Sequence, residues 1–305
     1  MKRIGLICGG FSSEYEISIK SAQTIQAHFP DHLECVLIVI NQENWRSQLA
    51  NHTNIDAAII YTHGNPGENG LLQAHLQMMQ MPFINSGVLA SALSFDKWYC
   101  NQFLKGFGFK VAEARRFRFG SIIDPEELTK ELGLPIFIKP TDSGSSFGIS
   151  KVNSTSEIPH AFAQAFNEGS HVVAESFLDG TEVTCGVYRG AEGIVALPLT
   201  EIVSETDFFD YAAKYNGKSK EITPARISEL AKKRVQEQAK AIYELLDLKA
   251  IARIDFMLVK EEPFVIEVNT TPGFSPASIV PQMLHSAEVS IKSFWKELIL
   301  VELEM

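Results

Sequence analysis

Over the first ninety positions, apolar residues come in short unbroken runs separated by stretches in which they recur every three or four places. The runs KRIGLIC, ECVLIVI and AAIIYTH predict buried strands. EISIKSAQTIQAHF and GLLQAHLQMMQ carry helical spacing, and the second leads into MPFINSG. Such alternation implies parallel strands joined by helical crossovers, whose loops at the strand carboxyl ends form binding crevices. Two polar, glycine-rich loops are predicted there, GGFSSEYE at 9–16 and HGNPGENG at 63–70. The first lacks G-x-G-x-x-G, so the dinucleotide fingerprint is absent and NAD is not expected.

A single long helix is predicted over 89–108, LASALSFDKWYCNQFLKGFG. PIFIKP and GISKV then read as two strands joined by TDSGSSFG, followed by a helix, SEIPHAFAQAFNEG, and a strand, HVVAESFL. The last region holds GTEVTCGVY, IVALPLTEI, the helix ISELAKKRVQEQAKAIYELL, the strands AIARIDFMLV and PFVIEVN, and a final amphipathic helix. These shifts divide the chain into 1–92, 93–180 and 181–305.

Composition narrows the class. A chain of 305 residues that is 45% hydrophobic and 21% charged can bury ample core in two or three lobes. A net charge of −10 excludes a general nucleic-acid binder, which needs a basic face. No apolar stretch reaches the length of a membrane span, and the N-terminal run is too short for a signal peptide. Cys8, Cys35, Cys100 and Cys185 form no C-x-x-C pair, so neither a zinc site nor a disulfide framework is expected. The expectation is a reduced, cytoplasmic protein.

Candidate chemistry concentrates in three places. IARIDFMLVKEEPFVIEVN predicts a hairpin turning at Lys260-Glu261-Glu262, with Val259 opposite Pro263 and Asp255 opposite Glu267. Arg253, Asp255, Glu267 and Asn269 then share one face, while Ile254, Phe256, Ile266 and Val268 point to the core. Two carboxylates and an amide beside one arginine suit Mg²⁺, which completes its shell with phosphate oxygens and water; ordinary salt bridges on a sheet face are the alternative. In TDSGSSFG, Gly144 and Gly148 allow close backbone approach, and Ser145 and Ser146 offer hydroxyls to an anion. Lys139 ends a strongly apolar strand, where a buried ammonium needs an anion. AAKYNGKS at 212–219 matches the loose phosphate-loop pattern, but no buried strand precedes it and Pro224 follows too closely for a helix to open at Lys-Ser. A nucleotide is therefore expected elsewhere.

The stretches GGFSSEYEIS, HGNPGENGLLQ, SGVLASALSFDK, IKPTDSGSSFGISKV, FFDYAAKYNG, RIDFML and EVNTTPGFSPAS occur in the order and spacing of one family. Over essentially its full length the chain resembles the D-alanine–D-alanine ligases of the ATP-grasp superfamily. The resemblance implies an α/β fold of three lobes, an N-terminal Rossmann-like parallel-sheet lobe followed by two ATP-grasp lobes. Lys97 and Lys139 would hold ATP phosphates, Glu175 would meet adenine and Glu182 the ribose, with Lys214 reaching over the nucleotide. Asp255, Glu267 and Asn269 would bind two Mg²⁺ ions, for which Mn²⁺ can substitute. Glu16 would anchor the ammonium of the first D-alanine, supported by Ser145 and Tyr215, with His63 in the matching substrate loop. Arg253 and the backbone of Gly273 would stabilise the oxyanion, and Ser278 would take the second carboxylate. A homodimer acting on D-alanine and ATP in peptidoglycan precursor synthesis is implied. The chain departs from the common family pattern at TDSGSS, at Ser176 and at Ala277. A related ligase with another acceptor remains the main alternative. A silent nucleotide-binding module is the other, and it has no use for Arg253.

Overall fold

In the computed structural model, residues 1–142, 148–204 and 219–304 are described. The first sheet is all parallel, in the order β2-β1-β3-β4, from β1 (Lys2–Gly9), β2 (Leu33–Ile40), β3 (Ala57–Ile60) and β4 (Phe83–Ile84). Its central strands are nearly continuous apolar runs because helices cover both faces. One face packs Ile7, Ile38 and Ile60 against Leu49, Leu72 and Leu76, carried by α2 (Trp45–Asn51) and α3 (Leu71–Met78). The other packs Ile4, Leu6 and Ile59 against α1 (Tyr15–Ala27) and against residues from the far end of the chain, including Phe274, Phe294 and Trp295.

The predicted helix over 89–108 is two helices, α4 (Val88–Phe95) and α5 (Lys97–Gly106). Asp96 between them is extended, and its carboxylate accepts the Tyr99 N–H as the cap of α5. A cap costs the longer helix its continuity but puts Lys97 at the first position of a new one.

The second sheet is antiparallel, in the order β5-β8-β6-β7, from β5 (Ala114–Arg118), β6 (Ile136–Pro140), β7 (Ser150–Val152) and β8 (His171–Ser176). Two helices, α6 (Pro125–Leu132) and α7 (Ile158–Glu168), supply Leu128 and Phe162 to the core under one face. The third sheet runs β12-β11-β9-β13-β14, with β10 (Gly193–Ala196) also on β9. Its strands are β9 (Thr181–Gly190), β11 (Thr200–Ser204), β12 (Ser219–Ile222), β13 (Ile251–Val259) and β14 (Glu262–Asn269). A long helix, α8 (Glu229–Leu245), packs Val235, Ala239 and Ile242 against Ile254 and Phe256. The chain ends in α9 (Ile279–Ser286) and α10 (Ile291–Glu302).

Among the described residues, no helix is long and apolar enough to cross a membrane. All four cysteines are free thiols. The short elements α2, β5, α6, β12 and α9 carry too little periodicity to be read from the sequence.

The β13–β14 hairpin differs from its sequence reading in an instructive way. Its turn is two residues, Lys260 and Glu261, with φ of 51° and 64°, so Val259 faces Glu262 instead of Pro263. A β-bulge between Asp255 and Phe256 then shifts the register by one, and Asp255 lies opposite Glu267 after all. The extra residue is absorbed at Ile266. As a result Val265 takes the core place expected for Ile266, and Ile266 turns to a cleft. Asn101 on α5 donates to the Ile266 carbonyl at 3.1 Å, satisfying a group the bulge removes from the ladder.

Positive φ at both turn positions is the geometry of a type I′ turn, which Asn-Gly suits and Lys-Glu does not. Replacing Lys260→Asn and Glu261→Gly together should stabilise the chain by about 1 kcal/mol. A lower urea midpoint for the double variant would show that the turn has another shape.

Candidate active site

Two cavities open among the three sheets and share a wall. The smaller, about 160 Å³, is lined on its apolar side by Ala112, Phe137, Leu178, Met257 and Ile266, and on its polar side by Lys139, Glu175, Glu182, Thr184 and Asp255. The larger, about 420 Å³, is bounded by Glu14, His63 and Glu68 from the first sheet's loops and by residues 267–273, 275 and 277–279. Lys97, Arg253 and Glu267 line both.

Secondary structure fixes each of these groups. Lys97 reaches the shared wall because α5 starts there, and Asn101, one turn later, docks that helix on the bulge. Its Nζ lies 3.4 Å from Glu267. On the second sheet Phe137 faces Glu175 and Lys139 faces Val173, which makes Lys139 and Glu175 diagonal neighbours on one face. Their 2.7 Å ion pair is nearly dry, with side chains 8% and 10% exposed. Glu175, expected at adenine, thus also neutralises Lys139.

On the third sheet, Arg253 forks onto Asp255 through two hydrogen bonds of 2.9 Å. Asn269 and Thr184 donate to the same carboxylate. Burial works against the guanidinium charge, but Asp255 beside it and Glu267 nearby hold its pKa well above the ordinary value. Asp255 lies opposite Glu267 and Arg253 opposite Asn269 on the β13–β14 ladder, so the two carboxylates and the amide are neighbours on one hairpin. Among the described residues no three His, Cys, Asp or Glu cluster closely enough to cage an ion alone. Two carboxylates and an amide fit Mg²⁺, which keeps places for phosphate and water.

The loop after β14 is held from behind by the first sheet. Tyr61 donates its hydroxyl to the Pro272 carbonyl at 2.7 Å, and Asn85 donates to the Thr271 hydroxyl at 3.1 Å. The Phe274 N–H donates to Ser21 at 3.0 Å. A Cβ on Gly273 would come within 3.1 Å of the Ser278 hydroxyl, so glycine keeps that turn tight. Ser278 sits at the start of α9 and accepts from the Ser275 N–H. His63 is buried behind this loop, with burial pushing its pKa below the ordinary value.

One sequence assignment is corrected here. Glu16 is exposed and lines neither cavity, whereas Glu14, the residue before α1, lines the larger one. The helix starts one residue earlier than its apolar spacing suggested. Glu14, Ile17 and Lys20, three apart, turn toward the cleft and leave Glu16 outside. Two acidic residues two positions apart at a helix start cannot share a face, and that was the available signal. Glu68 and Glu221 also line the larger cavity and carried no sequence signal beyond their charge. Ser145, Lys214 and Tyr215 lie outside the described residues, as does most of the AAKYNGKS stretch.

Comparison with known proteins places this geometry. A family profile described as D-ala D-ala ligase C-terminus matches residues 103–300. A D-alanine–D-alanine ligase of Parabacteroides distasonis is 42% identical, with 99% of this chain and 98% of that protein covered. One of Bacteroides fragilis is 41% identical over 98% and 99%. Among solved structures, a Bacillus anthracis D-alanine–D-alanine ligase complexed with ATP superposes with a TM-score of 0.87 at 28% identity, covering 100% of this chain and 98% of that one. The VanG D-Ala:D-Ser ligase of Enterococcus faecalis gives 0.86 at 29% identity, with 99% of each covered. With its three sheets, its paired cavities and this likeness along its whole length, the chain belongs to the D-alanine–D-alanine ligase family.

Proposed function

We propose that the chain uses ATP to join two molecules of D-alanine through an acyl-phosphate intermediate, supplying peptidoglycan precursors. The observation that carries this is the shared wall. Lys97, Arg253 and Glu267 stand where a nucleotide in the smaller cavity and a carboxylate in the larger one would meet.

ATP fits the smaller cavity with its base on the apolar side, near Glu175, and its ribose near Glu182. Lys97 and Lys139 point to where the phosphates would lie. Asp255, Glu267 and Asn269 would hold Mg²⁺, which when bound neutralises charge on the transferring phosphoryl group. Glu14 anchors the first ammonium. The carboxyl of Glu68 beside it is pushed up to about 8, by burial first and by Glu14 and Glu267 next, against the Gly64 N–H and Lys97. Glu68 is therefore largely protonated at pH 7.

With its ammonium fixed, the first D-alanine turns its carboxylate to the shared wall and attacks the γ-phosphorus, releasing ADP. The second amine attacks the acyl phosphate, and the oxyanion develops beside Arg253 and the Gly273 N–H. Collapse expels phosphate. Ser278, at the N-terminus of α9, receives the second carboxylate, where backbone N–H groups favour an anion. Lys214, Ser145 and Tyr215 complete the proposal on sequence grounds. By the same family reasoning the enzyme works as a homodimer in the cytoplasm.

Incubation with ATP, Mg²⁺ and D-alanine, alone and with D-serine or D-lactate, should give D-alanyl-D-alanine as the dominant product at neutral pH. A dominant mixed product would overturn the acceptor assignment. Glu14→Gln should lower kcat/KM for D-alanine about 10- to 100-fold, the worth of a hydrogen bond to a charge. Glu16→Gln should stay within about twofold, and the reverse ranking would restore the original assignment.

Glu68 gives a pH test of the fold. Its carboxyl ionises near 4.5 in the unfolded chain but stays protonated to about 8 when folded. The folded state therefore holds the extra proton between those values, and stability falls as pH rises through them. Urea midpoints of Glu68→Gln should fall less steeply over that window than those of the parent chain. Equal slopes would show that the carboxyl is not held neutral.

A further inference from the structure

The ligation steps leave an acidic side chain near Ser278 in the larger cavity without a role. Glu221, on β12 opposite Ile202, lines that cavity together with Ala277, Ser278 and Ile279. Gln282, one helical turn after Ser278 on α9, donates from a single Nε2 to the Glu221 carboxylate at 2.7 Å and to the Ala277 carbonyl at 3.2 Å. One amide therefore ties the carboxylate of a strand to the turn that carries Ser278. The guanidinium of Arg253 lies within electrostatic reach of the same carboxylate. A half-buried glutamate held this way gives up rotamer freedom, and its carboxylate is kept beside the turn that carries Ser278.

We propose that Glu221 is a specificity-determining residue that selects an acceptor arriving as a cation, an amino acid over a hydroxy acid, with Gln282 as its positioning residue. This rests on the reading that Ser278 receives the acceptor's carboxylate. With that carboxylate held at the start of α9, the α-substituent of the acceptor falls within the same end of the cleft. An ammonium there makes a charge-assisted hydrogen bond to Glu221, roughly twice as strong as the neutral bond a hydroxyl donates. The ammonium must shed a proton before attack, so the preference acts on binding and appears in KM more than in kcat.

The test is a competition between D-alanine and D-lactate as acceptors, with D-alanine as donor and both products measured by mass. Glu221→Gln, which keeps shape and hydrogen bonding but removes the charge, should lower the ratio of dipeptide to depsipeptide at least tenfold. The KM for acceptor D-alanine should rise about tenfold, while the KM for ATP moves less than twofold. Gln282→Leu should shift the ratio the same way by a smaller factor, since the charge stays but loses the Gln282 donor. A ratio within twofold of the parent, or two products falling together, overturns the proposal. A parent chain that ligates neither acceptor sinks the ligase reading, and this proposal with it.

Discussion

Everything at the reaction centre depends on how Phe274 is buried. Its ring lies between the first sheet and the C-terminal helices, 5.3 Å from Trp295, 5.9 Å from Phe294 and 6.1 Å from Tyr61. The backbone leading into that ring is pinned by Tyr61 and Ser21. An aromatic core of this kind joins the first sheet and the C-terminal residues from Ala250 to Leu303 in one packed cluster. The Gly273 N–H and the start of α9 are then fixed relative to Glu14 and His63 without any contribution from substrate. Preorganised donors of this sort need no reorganisation as charge develops.

A second constraint is electrostatic. Three cations of the cleft are matched by acids within it: Lys97 with Glu267, Lys139 with Glu175, Arg253 with Asp255. Burying an ammonium as dry as Lys139 is tolerable only with such a partner. A nucleotide entering the smaller cavity does not meet bare positive charge. It exchanges places with protein carboxylates, so its phosphates gain less from the lysines than a simple count of charges suggests.

The sequence made the large architecture legible because long apolar runs and long amphipathic helices leave strong periodicities. β1, β2, α8 and the β13–β14 pair all stand where the pattern puts them. Elements that are short and largely polar, such as β5 and α2, offer neither an apolar run nor enough positions for a period to show. Polar chemistry was legible to the extent that strand pairing dictated it. Asp255 does face Glu267, yet the turn assumed for that pairing was one residue too long, and only the bulge restores the match. Glu16 was misjudged because the first turn of a helix has no periodicity of its own, and a shift of one residue in the start changes which carboxylate faces inward. Glu68 shows the limit most plainly. Its neutrality comes from burial beside Glu14, a residue far away along the chain, and nothing in HGNPGENG announces it.

The bulge at Ile266 has a bearing on how this family can vary. Two features fix strand register in a hairpin, the turn and the irregularities along the ladder, and here they disagree by one place. Because the bulge settles the matter beside the carboxylates, and Asn101 locks it from α5, the distal tip at Lys260-Glu261 is uncoupled from the chemistry. The tip is free to drift in length and composition, to accept an inserted segment or to serve as a new chain break, while Asp255 and Glu267 keep their alignment. The hairpin thus divides into a half whose register the bulge sets and a half whose register the turn sets, with a single unpaired residue marking the border.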